Sequence, residues 1–293
     1  MNFIYSYWET ADDNQNLLES FSNRWLNTEF MFFSLIQSVL KSKEYATKVI
    51  MITTTRCKPI FDKLEIFDEV TTDLDAISHY DRDMWALGKI YAYSIQTEPF
   101  IHIDNDVHFN YKFPIYLFNE SKIDIAVQSI EHNKSSMTTF TPFYNRIINT
   151  LYKNGFKTNI LNFGRSFKAY NMGIYLCNNI EFNTLYCTEV FKMINENKEA
   201  FIKAKKICVS VIFEQYLLYL LAEREGLRVE VLIDNYKDKF IQEYGYLHIW
   251  GRKKDLELYN KFKNLFINYY PNYLEKINNL LDIYNIKQEL KNK

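Results

Sequence analysis

Short apolar runs alternate with segments of helical periodicity along most of this chain, and that alternation limits the fold more than any other feature. "NFIYSYW" reads as a first strand and Glu29 to Lys43 as a helix. "KVIMITTT" is an apolar run bounded by polar residues, and hence a buried strand. "KPIFDKLEIF" is a short helix opening with Pro59. "DEVTTDL" supplies another strand end, residues 82 to 96 a helix, and "PFIHI" a strand. "KIDIAVQSI", "AYNMGIYLCN" and "LRVEVLI" continue the strand series, with helices over residues 139 to 153, 180 to 197 and 207 to 225. The stretch "DNYKDKFIQEYGYLHIWGRKKD" reads as a loop. From Leu256 onward the chain is helical, interrupted at "YYPNY". Strands alternating with helices predict an α/β fold with a largely parallel sheet covered on both faces. In such folds ligands sit at the carboxyl ends of strands.

Length and composition exclude several classes. The 293 residues suit one large domain, or one domain with a helical appendage. Net charge is -1, so no basic excess argues for nucleic acid as a partner. Cys57, Cys177, Cys187 and Cys208 show neither CxxC nor metal-site spacing and read as buried free thiols of a reducing cytosol. The opening "MNFIYSYWET" lacks a basic region followed by an apolar one, so no signal peptide is expected. "FMFFSLIQSVL" and "VSVIFEQYLLYLLA" are too short or too interrupted to span a bilayer. The expectation is a soluble cytoplasmic protein.

Four local patterns carry chemistry. The first is "PFIHIDNDVHF", in which a buried strand delivers Asp104 and Asp106 to its end. Carboxylates at i and i+2 can converge on a hard cation such as Mg²⁺ or Mn²⁺, which often shares its shell with substrate phosphates. A solvated acidic turn is the alternative for a lone D-x-D. Asn105 can add a polar contact, and His108 either joins the site or packs. The second is "LHIWGRKK", with His248, Gly251 and Lys254 as H-x-x-G-x-x-K. An imidazole can complete a metal shell, glycine admits backbone close to a phosphate, and lysine supplies a point charge. A surface loop with a basic run is the alternative. The third is Glu214-Gln215, a polar pair interrupting the apolar helix "VIFEQYLLYLL". A buried carboxylate or amide needs partners, so the pair either enters a pocket or caps a neighbouring loop. The fourth is "YNMGIYL", where Asn171 can bind hydroxyls and Gly173 leaves room for a ligand; a structural turn is the alternative.

In this order the four patterns resemble the GT-A glycosyltransferases, especially the retaining galactosyl- and glucosyltransferase group that includes glycogenin. The matching residues are Asp104-Asn105-Asp106, Asn171-Met172-Gly173, Glu214-Gln215, and His248 with Gly251 and Lys254. The resemblance spans roughly residues 1 to 255. It implies the GT-A fold, a mixed and mostly parallel sheet flanked by helices. It also implies a catalytic domain over 1–255 and a C-terminal helical extension over 256–293. The implied donor is a nucleotide diphosphate sugar, with UDP as the nucleotide, and the implied acceptor is a glycan or lipid-linked glycan. Asp104, Asp106 and His248 would hold Mn²⁺ or Mg²⁺. Lys254 and the backbone around Gly251 would hold the diphosphate, and Lys89 would reach the donor. Asn171 and Gln215 would lie near the sugar, with Glu214 and Gln215 on its opposite face. Tyr5, Tyr7 and Trp8 at the end of the first strand would meet the base, with core packing the alternative role for half of these aromatics. The sequence departs from the family where Asp255-Leu256 stands in place of Pro-Trp, and where Glu214 replaces the commoner Asp.

Two other classes stay open. A haloacid-dehalogenase-like phosphohydrolase also follows a strand with D-x-D, and Asp234 and Asp238 offer its late acidic pair; His108 stands where that family wants Thr or Val. A non-catalytic binding protein could keep the same frame. The helices after residue 256 either pack on the domain or form an amphipathic patch on a membrane surface.

Overall fold

In the computed structural model the described residues are 1–9, 17–22, 24–109, 122–132, 140–159, 168–204, 207–233 and 246–284. The chain is mixed α/β and divides into two compact units. Unit 1 comprises Met1–Asp75, Ile103–Pro114 and Gln242–Lys293, and unit 2 comprises Ala76–His102 and Ile115–Ile241.

Unit 1 begins with strand β1 (Asn2–Ser6), helix α1 (Leu17–Phe21) and helix α2 (Thr28–Lys43). Strand β2 (Lys48–Ile52), helix α3 (Lys58–Leu64) and strand β3 (Glu69–Thr71) follow. These strands run parallel in the order β3-β2-β1, with Asn2 opposite Lys48 and Ile50 opposite Glu69. Phe3, Ile4 and Tyr5 are consecutive and fully buried, as a strand covered on both faces requires. Asn27 caps α2 by accepting a hydrogen bond from the Phe30 N–H at 2.8 Å. That helix is buried on most sides, from Phe30 to Val39, and forms the floor of the unit.

Two more helices of unit 1 lie after the strand that carries His248. They are α9 (Leu256–Tyr269) and α10 (Pro271–Ile283), broken at Tyr270 because Pro271 opens the second. The intervening helices belong to unit 2. Phe262 and Phe266 of α9 meet Phe30 and Phe33 of α2 at centroid distances of 5.5 and 4.4 Å. The Tyr259 hydroxyl donates to the buried Glu29 carboxylate, and Lys263 lies 3.4 Å from the same oxygen. The segment expected as a helical extension therefore supplies part of the core of unit 1. No helix among the described residues is long and apolar enough to cross a membrane.

Unit 2 contains helix α4 (Leu87–Ser94), strand β4 (Phe100–Ile103) up to His102, strand β6 (Ile125–His132) and helix α5 (Phe140–Lys153). Strand β7 (Lys168–Cys177), helix α6 (Ile180–Glu196) and helix α7 (Lys198–Ala204) come next. A π-helical turn (Ile212–Tyr216) leads into α8 (Leu217–Arg224), and strand β8 (Val229–Val231) follows. The strand order is β4-β7-β6-β8, with β6 antiparallel to β7 and parallel to β8. Strand β7 is buried from Ala169 to Cys177, packed under the π-helical turn and α8. At the start of β6, Asp124 accepts from the Arg228 Nε at 2.9 Å and Nη2 at 3.0 Å, a bidentate clamp onto β8.

That clamp has a pH signature. The Arg228 guanidinium holds the Asp124 carboxyl down at about 2, against the partial burial that would raise it. A depressed folded pKa stabilises above the ordinary carboxylate range and is lost as pH falls through the depressed value. The stability advantage of the wild type over D124N, measured by urea unfolding, is expected to be constant near neutral pH. It is expected to close as the pH falls to about 2.

Candidate metal and diphosphate site

The fully buried strand β4 ends at Ile103, and the chain turns at once: the Val107 N–H bonds the Asp104 carbonyl at 3.0 Å. Strand β5 (Val107–Phe109) then pairs antiparallel with β9 (Tyr246–His248), placing Val107 opposite His248 and His108 opposite Leu247. The Ile249 N–H continues the ladder to the Asp106 carbonyl at 2.9 Å. This register sets His248 beside the two acids, although the segments are far apart in the sequence. One ligand atom each from Asp104, Asp106 and His248 lies within 4.8 Å of the others. Two carboxylate oxygens and an imidazole nitrogen suit a hard or borderline divalent cation such as Mg²⁺ or Mn²⁺, so the residues fit the metal expected here.

The turn is held from beneath. Ser34 of α2 donates to the Asn105 carbonyl at 2.8 Å and lies 3.0 Å from His108 Nε2. The Asn105 amide donates to the Ser6 carbonyl at the end of β1 (3.2 Å). His108 is a packing residue: burial pushes its pKa down to about 3, so it is neutral, and its ring lies 5.2 Å from Phe262.

Asp106 is 5% exposed. Burial alone would raise its pKa, but the Lys253 ammonium at 2.7 Å and His248 Nε2 at 3.5 Å outweigh that and hold it well below the usual carboxylate range. The same ammonium lies 5.2 Å from the centre of the Trp25 ring. Lys254, the lysine of the H-x-x-G-x-x-K pattern, is exposed. Gly251 adopts φ 77°, a left-handed conformation that favours glycine. The turn around it is closed by the Arg252 N–H to the Ile249 carbonyl at 2.7 Å. Asp255, standing where the resembling family has proline, caps α9 by accepting from the Leu258 N–H at 3.0 Å.

The remaining expected residues fall in two places. In unit 1, Tyr5 has no exposed surface and shares its hydroxyl with Ser38 and Ser42 at 2.8 Å each, so it is a core residue and cannot stack on a base. Tyr7 stacks on Phe21 at 4.2 Å, and Trp8 is 8% exposed. In unit 2, the Lys89 ammonium donates to Glu214 at 2.6 Å and to the Met172 carbonyl at 2.9 Å; both side chains are buried. Gln215 accepts from the Tyr144 hydroxyl at 2.8 Å. Asn171 donates to Glu131 at 2.8 Å and accepts from the Gly173 N–H at 3.0 Å. Asp234 and Asp238, the acidic pair of the phosphohydrolase alternative, lie outside the described residues.

A family model described as "Family of unknown function (DUF6734)" matches residues 1–280. The chain belongs to this family. No curated protein matches the sequence. Among solved structures the chain is similar to mouse xyloside xylosyltransferase 1 in its apo form, with 10% identity over 83% of this chain and 94% of that one, at a TM-score of 0.37. It is also similar to the galactosyltransferase LgtC in complex with donor and acceptor sugar analogs, with 8% identity, 79% and 73% coverage and a TM-score of 0.35. A third is the inositol-1-phosphate CTP transferase of T. maritima, with 11% identity, 90% and 96% coverage and a TM-score of 0.37.

Sequence reasoning missed two residues that contact the Asp104–Asp106–His248 cluster and its turn. Lys253 sits one position before the motif lysine, and nothing in the spacing distinguishes the members of "RKK". Ser34 lies inside an apolar helix, where a lone serine reads as packing. The signal that could have found it is its burial opposite a D-x-D turn, a non-local fact.

In unit 2, the Lys89–Glu214 pair is closed, with each charge buried against the other. Removing only the cation takes from the buried Glu214 carboxylate its ammonium partner at 2.6 Å. K89M is expected to lose about 3–5 kcal/mol of unfolding free energy. The double variant K89M/E214L is expected to recover more than half of that loss, measured by urea unfolding of both proteins.

Proposed function

We propose that the protein is a GT-A glycosyltransferase that moves a hexose from a nucleotide diphosphate sugar, with UDP as the nucleotide, to a glycan or lipid-linked acceptor. The observation that carries this reading is the convergence of Asp104, Asp106 and His248 within 4.8 Å. These three come from motifs that occur in the family's order. Retention of configuration at the transferred sugar goes with the same resemblance.

When bound, a divalent cation supplies Lewis-acid neutralisation of the charge that builds on the leaving diphosphate. The chain's own residues do the rest. Asp104 and Asp106 provide anionic oxygens and His248 a nitrogen donor. Ser34 and the β5–β9 ladder fix the turn, so the donors need little reorganisation when charge develops. Gly251 lets the backbone of its turn approach a phosphate, and Lys254, exposed beside it, offers a point charge. Tyr7 and Trp8 are the base-side aromatics in this reading.

Unit 2 supports the reading through its chemistry. The amides of Gln215 and Asn171 are suited to sugar hydroxyls, and each is oriented by a named partner. Glu214 is neutralised by Lys89, which suits a fixed support for Gln215 better than a mobile acid.

Calorimetry of UDP binding with saturating Mn²⁺ tests this directly. The wild type is expected to bind, and D104N to bind about tenfold or more weakly with an unchanged melting temperature. Equal UDP affinity in both proteins would reject the assignment. Release of UDP from UDP-hexoses, compared with and without Mn²⁺, then identifies the sugar.

A further inference from the structure

We propose that Lys253 is a resident counter-cation of the carboxylate pair, which leaves Asp106 when a divalent cation binds and whose freed ammonium then engages the donor diphosphate. The inference rests on the metal and diphosphate reading above and adds a regulation of that site.

The geometry makes the competition direct. Lys253 Nζ lies 2.7 Å from Asp106 Oδ2, and His248 Nε2 lies 3.5 Å from Oδ1, so both oxygens of one buried carboxylate already have partners. A divalent cation on the same carboxylate would meet the ammonium at close range. Little water screens them, since the side chains of Asp106 and Lys253 are 8% and 26% exposed. Like charges at that separation repel strongly in a partly buried site. Lys253 can yield because its backbone is anchored separately from the side chain that pairs with Asp106. Its carbonyl accepts from the Leu26 N–H at 2.7 Å, while the four-carbon stem and rotatable donors stay adaptable. The same ammonium, while paired with Asp106, lies 5.2 Å from the centre of the Trp25 ring, so the ring face is within reach as it withdraws from the carboxylate.

Two consequences follow. The divalent ion binds weakly on its own, because it must displace a cation already paired with Asp106. A diphosphate offers the displaced ammonium a new anionic partner, so the two ligands bind cooperatively, each raising the affinity of the other.

Electron paramagnetic resonance of free Mn²⁺, titrated against the 293-residue chain with and without UDP, reads both effects. K253M is expected to bind Mn²⁺ about tenfold more tightly than the wild type without UDP, and to lose about tenfold of the enhancement that UDP confers. K253R, which keeps the charge, is expected to stay near the wild type. Should K253M be poorly folded, K253Q makes the same test, and Mn²⁺ is expected to raise its melting temperature more than that of the wild type. Unchanged or weaker Mn²⁺ affinity in K253M and K253Q, with Mn²⁺ bound by the wild type, overturns the counter-cation role and leaves the metal site standing. Absence of Mn²⁺ binding in every protein, with UDP present or not, overturns both.

Discussion

The approach of Asp104, Asp106 and His248 depends on three residues of β5 pairing with three of β9. A ribbon that short is marginal in isolation. It persists here because it is not isolated: α2 lies beneath it, Ser34 anchors the turn that leads into it, and α9 fixes the loop that leaves it. Asp255 ends that loop as the α9 cap, and Phe262 and Phe266 dock α9 on α2. One helix therefore supports both halves of the cluster. A slip of one residue in the ribbon would turn every side chain of β9 to the other face and carry His248 away from Asp106. The docking of α9 is what opposes that slip.

The two units place buried charges under different constraints. In unit 1, Asp106 sits at the rim of the core, answered by a lysine that is partly exposed. The carboxylate pair is thus not left without a cation, and the stability cost that would argue for an obligatory metal is largely met by Lys253. In unit 2, Lys89 and Glu214 are both enclosed, and the second lysine contact is a backbone carbonyl. An ion pair of that kind has nowhere to go and serves as a fixed strut. The first arrangement suits exchange of partners and the second does not.

The α/β alternation was legible because each buried strand is an uninterrupted apolar run with polar ends, as "KVIMITTT" and "PFIHI" are. Helix α2, the break at Pro271 and the acids at the end of β4 followed from the same local chemistry. The site was legible as far as motif residues carry it: Asp104, Asp106 and His248 do meet. What escaped is what depends on pairing between distant segments. Strand β9 has three residues, too few for any periodicity, and exists only because β5 is there to pair with it. Tyr5 read as a base-side aromatic, but it lies within the stretch of β1 that is buried on both faces, so position along the strand decided its role. Lys253 and Lys254 differ only in how the Gly251 turn aims them, and a positive φ is not visible in a run of basic residues.

The Glu214-Gln215 pair shows how a helix can serve both needs that the sequence left open. An α-helix puts consecutive residues about 100° apart, so one of the two would face away from the core. The π-helical turn from Ile212 to Tyr216 widens the ladder by one residue locally. Widening displaces carbonyls from their ordinary partners, and the buried Tyr186 hydroxyl lies 2.8 Å from the Glu214 carbonyl and 3.2 Å from that of Phe213. With its backbone satisfied, the turn holds Glu214 inward on Lys89 while Gln215 meets Tyr144. The glutamate is buried, and the glutamine is the member of the pair left half-buried, its amide oxygen accepting from the Tyr144 hydroxyl.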